Sequence, residues 1–188
     1  MFFKGLARLS RTLSTPPSLR IKSEKYIHII PDFNDHKYGH IISDVKERDL
    51  FAIGSMMNVE HLSPSSFPDP PFPAQGIIHG NYCRLMVPLS IKKSDKRKTN
   101  PINCCFLVDT GSTDTYLSKR TVEALIGVGN VNGGLSYVTI QDPRYTVECR
   151  LSHSDFSDIN LLGAIALRQL QLSIVCDWKA ARCTLIRV

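Results

Sequence analysis

The sequence has no apolar run of about 18 residues, the length that a membrane-spanning helix requires. Its best apolar stretch, residues 161–176, is interrupted by Arg168, Gln169 and Gln171. The six cysteines form no C-x-x-C pair, so we expect no metal site, and no cofactor motif is present. Ser112 lacks the G-x-S-x-G setting of a hydrolase nucleophile. These absences argue against a membrane span, a zinc protein and a serine hydrolase of that type.

Acidic residues are absent from the first 22 positions, although the chain as a whole has 17 of them. This segment therefore carries +5 of the formal net charge of +6, and the nearly neutral remainder speaks against a nucleic-acid partner. Apolar and basic residues of the first 14 positions lie on opposite sides of a helical wheel, which is typical of mitochondrial presequences. We interpret residues 1–22 as a basic N-terminal tail or a presequence. The sequence leaves the compartment open between the cytoplasm and, if this segment acts as a presequence, the mitochondrion.

Residues 64–73 contain five prolines, and this density excludes a helix or a central strand there. They are Pro64, Pro68, Pro70, Pro71 and Pro73. We interpret residues 23–75 as a poorly ordered region and Pro-rich linker. A chain of 188 residues has room for one ordinary domain, and we place it at residues 76–188.

The pattern after Gly76 is that of a β protein. "INCCFLVD" is a short, continuous apolar run, which suits a strand buried on both faces. "SKRTVEALIG" predicts a short helix capped by Ser118 and ended by Gly127. "NLLGAIALRQL" predicts a strand, a glycine and another short helix, and "LSIVCDW" and "CTLIRV" predict two closing strands. We expect free and mostly buried thiols.

Two short signatures stand out in this region. In "FLVDTGSTDTYLS", residues 106–118, Asp109 ends an apolar strand and is followed at once by Thr110, Gly111 and Ser112. Leu161-Leu162-Gly163 follows, with its glycine 54 positions after Asp109. With β-rich sequence between them, residues 76–188 resemble the retroviral-type (retropepsin-like) aspartic proteases.

The resemblance implies a mainly β fold: a closed β-barrel, or acid-protease half, with one short C-terminal helix, working as a homodimer. It implies that Asp109 is the catalytic acid and that Leu161, Leu162 and Gly163 are structural. Gly133 and Gly134 would form the tip of a flap that closes over the substrate, although a plain turn without substrate contact is an equal alternative. The active-site loop would consist of Thr110, Gly111 and Ser112.

The chemistry of metal-free peptide hydrolysis explains these residue types. Two carboxylates about 3 Å apart cannot both ionise, so together they activate a water and protonate the leaving amine. Thr110 would bond to the partner's backbone, Gly111 permits a close backbone approach, and Ser112 would orient the carboxylate. Because the chain has one Asp-Thr-Gly, the second Asp109 would come from an identical subunit. The terminal strand "CTLIRV" is expected to take part in that dimer.

The predicted function is that of an aspartic-type endopeptidase, a hydrolase whose partners are an identical subunit and a peptide or protein substrate. One alternative is a catalytically inactive retropepsin-fold module for dimerisation or peptide binding. A third interpretation, in which the basic tail and residues 92–98 bind nucleic acid, ranks last, since no aromatic residue is interleaved among these basic residues.

Overall fold

The structure, a computed structural model, describes residues 42, 44–94, 100–129, 131 and 136–188. Among these residues are three α-helices: α1 (Glu47–Met56), α2 (Lys119–Ile126) and α3 (Ala164–Gln169). They also form nine strands: β1 (Ala74–His79), β2 (Arg84–Lys93), β3 (Ile102–Val108), β4 (Thr115–Leu117), β5 (Ser136–Ile140), β6 (Thr146–Leu151), β7 (Asn160–Leu162), β8 (Leu172–Asp177) and β9 (Arg182–Arg187). The fold is mainly β, as predicted. None of the helices in these ranges is long and apolar enough to cross a membrane.

Six of the strands close into a barrel. Their order is β3-β7-β4-β6-β5-β2, and the antiparallel pairing of β2 with β3 completes the ring. The pairs β3–β7 and β4–β6 are parallel, and the other pairs in the ring are antiparallel. Strands β1, β9 and β8 extend the sheet outward from β2 in that order. The predicted closed barrel is therefore confirmed.

Strand β3 is buried on both faces, as its apolar run predicted. Because successive side chains of a strand point to opposite faces, Phe106 and Val108 pack into the main core, while Cys105 and Leu107 pack into a second cluster. Helix α1 supplies Leu50 and Ile53 to that second cluster, and both are fully buried. The apolar run is thus explained by a helix that covers the outer face of the barrel.

Helix α1 belongs to the segment that the prolines predicted as a poorly ordered linker. Residues 44–73 are instead an ordered part of the described chain. After the helix, the Leu62 N–H donates to the carbonyl of Asn103 (2.7 Å), the Asn103 N–H donates to Ser63 (2.9 Å), and the Ser65 N–H donates to Pro101 (2.9 Å). An irregular segment satisfies its backbone groups against β3 in this way, which local composition does not reveal. The predicted tail or presequence at 1–22 lies outside the described residues.

All six cysteines are free thiols, and four of them are buried. Burial raises the pKa of Cys105 to about 12 and that of Cys183 to about 11. Cys176 and Cys183 lie directly opposite each other in the β8–β9 pair and are unbonded. The prediction of free and mostly buried thiols is confirmed.

His61 fastens the segment after α1 to the barrel. The residue is almost fully buried, and its Nδ1 accepts a hydrogen bond from the Cys105 N–H (3.1 Å). Its ring contacts the ring of Phe51 edge to face, with 5.0 Å between the ring centroids. An Nδ1 that accepts requires the neutral form with the proton on Nε2. Burial lowers the pKa of His61 to about 4.

This depressed pKa predicts a loss of stability in mild acid. The unfolded chain takes up a proton near pH 6.5 and the folded chain only near pH 4, so stability falls as the pH drops between these values. From about pH 7 to about pH 4.5 we expect the wild type to lose about 2–3 kcal/mol more than His61→Asn. The asparagine keeps an acceptor for the Cys105 N–H but does not titrate. Urea unfolding measures this, and equal losses in both proteins would contradict it.

Candidate active site

The two signatures of the sequence meet at one end of the barrel. Strand β3 ends at Val108, which pairs in parallel register with Leu162 of β7. The backbone N–H of the next residue, Asp109, donates to the carbonyl of Leu162 at 3.1 Å. The structure therefore brings Asp109 together with Leu161, Leu162 and Gly163, although 54 positions separate the acid from the glycine.

Asp109 is a partly buried residue, and its carboxylate is oriented by its own loop. The Gly111 N–H donates to Oδ1 at 2.9 Å, and the Ser112 N–H donates to the Asp109 carbonyl at 3.2 Å. No hydrogen bond from the described ranges reaches the other carboxylate oxygen, Oδ2. One carboxylate oxygen is thus held by the backbone, whereas the other has no hydrogen bond within these ranges.

Of the remaining loop residues, Ser112 makes a different contact from the predicted one. The Ser112 hydroxyl donates to the carbonyl of Asp114 (2.9 Å), so it holds the turn and does not orient the carboxylate as predicted. The turn brings that carbonyl, and not the carboxylate, within reach of the hydroxyl. Thr110 is exposed, and its bond to a partner's backbone stays a prediction.

The second signature is joined to the loop by backbone hydrogen bonds. The first N–H groups of α3 have no partner within the helix, as in every α-helix. Those of Ala164 and Ile165 donate to the carbonyls of Ser112 (2.8 Å) and Thr113 (3.1 Å). The Gly163 N–H donates to Oγ1 of Thr115 at 3.2 Å. The start of α3 therefore holds the loop that carries Asp109.

Gly163 has no room for a side chain. A Cβ at this position would overlap the carbonyl oxygen of Asp114 and lie 3.0 Å from the carbonyl oxygen of Ser112. Its φ of −85° is one that any residue adopts, so the glycine is required by the close approach of two backbones. The glycine of the "LLG" signature thus permits a close contact between the end of β7 and the loop that carries Asp109.

We expect Gly163→Ala to cost about 3 kcal/mol of unfolding free energy, because the added methyl must push the loop backbone aside. The control is Gly80→Ala, where the Cβ meets no atom within 4 Å. Its φ of +69° limits the cost to about 1 kcal/mol. Urea unfolding measures both, and a Gly163 variant no less stable than the control would contradict the expectation.

Asn160 is a site residue that the sequence analysis missed. It is fully buried at the start of β7, where its Oδ1 accepts from the Ser118 N–H (2.9 Å) and its Nδ2 donates to the Cys105 carbonyl (3.2 Å). The side chain therefore links β3, which leads to Asp109, with the N-cap of α2. The available signal was a polar residue that opens the apolar run "NLLG".

Ser118 caps α2 through the Thr121 N–H, and the helix is followed by Gly127, as predicted.

Asp114 forms an ion pair just beyond the loop. Its Oδ2 lies 2.7 Å from Nε of Arg150, which lies on β6 opposite Tyr116 of β4. Both side chains are partly exposed, so the pair is worth little to stability, but it occupies the Asp114 carboxylate.

Gly133 and Gly134, the predicted flap tip, lie outside the described residues.

Neither a protein-family model nor a curated protein sequence matches this chain. Among solved structures, the chain is similar to the crystal structure of a retropepsin-like aspartic protease from Rickettsia conorii. The TM-score is 0.39 and the identity is 16%, over 62% of this chain and 94% of that chain. Independently of that likeness, the closed barrel and the joined signatures are consistent with a retropepsin-like fold.

Proposed function

We propose that this protein is an aspartic-type endopeptidase in which the Asp109 carboxylates of two identical chains share one proton and activate a water. The observation that carries the proposal is the Asp109 carboxylate itself. It stands at the junction of the two signatures, with Oδ1 held by the Gly111 N–H and with Oδ2 unbonded within the described ranges.

The proposed reaction begins with one carboxylate ionised and the other protonated. The ionised group takes a proton from the water as the water oxygen bonds to the peptide carbonyl carbon, and the protonated group gives its proton to the carbonyl oxygen. The tetrahedral intermediate then loses a hydroxyl proton to the carboxylate that is now ionised, and the amine nitrogen takes a proton from the other, protonated carboxyl group as the C–N bond breaks. Each cycle restores one shared proton, so the two carboxylates titrate as a unit.

The second carboxylate is assigned to another chain because the sequence has a single Asp-Thr-Gly. Asp114, the next acid along the chain, is paired with Arg150. A two-fold axis between two chains would supply an identical loop.

The test is cleavage of casein or of a peptide library at about pH 5, with and without pepstatin, because a shared-proton pair works in mild acid. We expect cleavage that pepstatin suppresses. Absence of cleavage at concentrations where sedimentation shows a dimer would contradict the proposal and favour the inactive module. Cleavage that pepstatin leaves unchanged would also contradict it.

A further inference from the structure

One edge of β3 is lined by two pieces of chain that lie end to end. Alternate residues of a strand point their backbone groups to the same edge. Strand β7 lines this edge from Phe106 onward. Before that point residues 62–65 line it, through their backbone hydrogen bonds with Asn103 and Pro101. The joint between the two pieces therefore falls at Cys105.

Two buried side chains meet at this joint. The Cys105 N–H donates to Nδ1 of His61 (3.1 Å), and the Cys105 carbonyl accepts from Nδ2 of Asn160 (3.2 Å). His61 belongs to the segment after α1 and Asn160 to the start of β7, so each piece of chain contributes one side chain. Because a buried N–H needs an acceptor, the Cys105 N–H depends on the His61 ring.

Helix α1 lies behind the joint and packs on both strands. Its Leu50 and Ile53 share a buried cluster with residues of β3 and of the chain at β7, namely Cys105, Leu107, Ile159 and Leu161. A Cβ at Gly54 would overlap the carbonyl oxygen of Val59 and lie 3.1 Å from the backbone nitrogen of His61. The helix is therefore in close backbone contact with the segment that carries His61, and together they brace the joint.

The two braced strands are the ones that end at the candidate active site. Strand β3 leads to Asp109, and the Asp109 N–H donates to the carbonyl of Leu162, the last residue of β7 (3.1 Å). Cys105 and Asp109 face the same edge of β3, and the four residues between their positions span roughly 13 Å. Packed interiors transmit strain, so a displacement of β3 at the joint reaches the Asp109 loop.

We propose that His61 is a positioning residue for Asp109: backed by α1, it holds β3 in place beside β7 and thereby keeps the Asp109 carboxylate in its reactive geometry. The inference rests on the proposed function, because positioning presupposes a reaction at Asp109. His61 acts through the backbone of β3 and does not touch the substrate. A misplacement of a reacting group by about 1 Å costs about 100-fold in rate, so a brace far from the carboxylate affects catalysis strongly.

The test uses three variants of the full chain. His61→Phe keeps an aromatic ring but removes the acceptor of the Cys105 N–H. His61→Asn is the conservative variant, since it keeps an acceptor. The control is Ile140→Ala, which opens a cavity at a fully buried position of β5 and lowers stability away from the joint between β7 and residues 62–65.

The first readout is hydrogen exchange of single amides, measured by NMR, and it needs no peptidase activity. The Asp109 N–H, bonded to Leu162, is compared with the Gln141 N–H, which is bonded to the Ser90 carbonyl at 2.7 Å. In His61→Phe the protection of the Asp109 N–H should fall at least about tenfold further than that of the Gln141 N–H. In Ile140→Ala it should fall no further than that of the Gln141 N–H, and His61→Asn should resemble the wild type.

The second readout is peptide cleavage at a concentration where sedimentation shows a dimer and circular dichroism shows a folded chain. His61→Phe should lower kcat by about 10- to 100-fold and leave KM within about threefold, because transition-state geometry is lost and substrate binding is not. His61→Asn should retain at least about half of the wild-type kcat. Ile140→Ala should stay within about twofold of the wild type per folded chain.

The outcomes separate the positioning role from the function. Equal protection of the Asp109 N–H in the wild type and in His61→Phe overturns the positioning role, whether or not peptides are cleaved. A wild-type kcat in His61→Phe also overturns it. Selective loss of protection at Asp109 in a chain that cleaves no peptide supports the brace and contradicts the peptidase. If His61→Phe does not fold, Phe51→Leu replaces it, because that change removes the ring that packs on His61, and unchanged protection there overturns the proposal equally.

Discussion

Replacing Asp109 with asparagine is expected to lower peptidase activity by about 100- to 10,000-fold while leaving the fold intact. The asparagine oxygen still accepts the Gly111 N–H, which donates to Oδ1 at 2.9 Å, so the loop keeps its geometry. What is lost is the group that takes and gives the proton. Peptide cleavage gives kcat/KM, and circular dichroism with urea unfolding reports the fold.

The matched control is Asp158→Asn, an exposed acid between β6 and β7. It should leave kcat/KM within about twofold of the wild type, since surface substitutions rarely disturb a distant site. Undiminished cleavage by the Asp109 variant would remove Asp109 from the mechanism. An unfolded Asp109 variant would instead show that the carboxylate is needed for the loop.

The same variant tests the sharing of the site between chains. In an equal mixture of wild-type and Asp109→Asn chains, random pairing leaves about a quarter of the dimers with two acids. The activity should therefore fall to about a quarter of that of the wild type at the same total chain concentration. If each chain had a complete site of its own, half of the activity would remain. The mixture must be equilibrated under conditions where the chains exchange partners, which sedimentation of labelled chains verifies.

The largest expected effect on stability comes from Asp142, which holds the end of β9 against the barrel. Its side chain is 1% exposed and accepts from Nη2 of Arg144 (2.7 Å) and from Nη1 of Arg187 (2.6 Å). The Arg187 guanidinium also lies over the rings of Phe72 and Tyr145, at 5.0 and 5.2 Å. Removing the acid would leave this mostly buried cation without its counter-charge.

We expect Asp142→Ala to lower the unfolding free energy by about 3–5 kcal/mol, the usual cost of removing one partner of a buried ion pair. The control is Glu123→Ala, which removes the acid from the partly exposed helical pair with Lys119 and should cost less than about 1 kcal/mol. Urea unfolding at neutral pH measures both. Similar losses in the two variants would show that the buried pair contributes no more than a surface pair.

The pH dependence of this contribution follows from the pKa of Asp142, which the Arg144 hydrogen bond holds well below its usual range. The unfolded carboxyl takes up a proton near pH 4, and the folded one only in stronger acid. The stabilisation is therefore complete above about pH 4 and is lost as the pH falls below it. Below that pH the difference in unfolding free energy between the wild type and Asp142→Asn should shrink. The loss of stability that comes from protonation of His61 is already nearly complete at that pH.

Much of the barrel and of the site could be predicted because the signals are local. The run "INCCFLVD" predicted a strand buried on both faces, and Ser118 and Gly127 correctly predicted the limits of α2. The apolar residues before Asp109 and the glycine after it predicted a strand that ends in a tight turn. Backbone preference and side-chain periodicity act over a few residues, so these features are readable without a structure.

The sequence by itself therefore determined that Asp109 stands on a loop after an apolar strand, and that a second apolar strand ends just before Gly163. Only the tertiary structure decided that α1 covers β3, that Asn160 links β3 to α2, and that β9 is interior while β8 is the edge. Strands β8 and β9 have similar apolar patterns, and nothing local distinguishes an edge strand from a central one. Which backbone groups remain unpaired depends on partners about a hundred positions away, as in the pairing of Ala74 with Leu185.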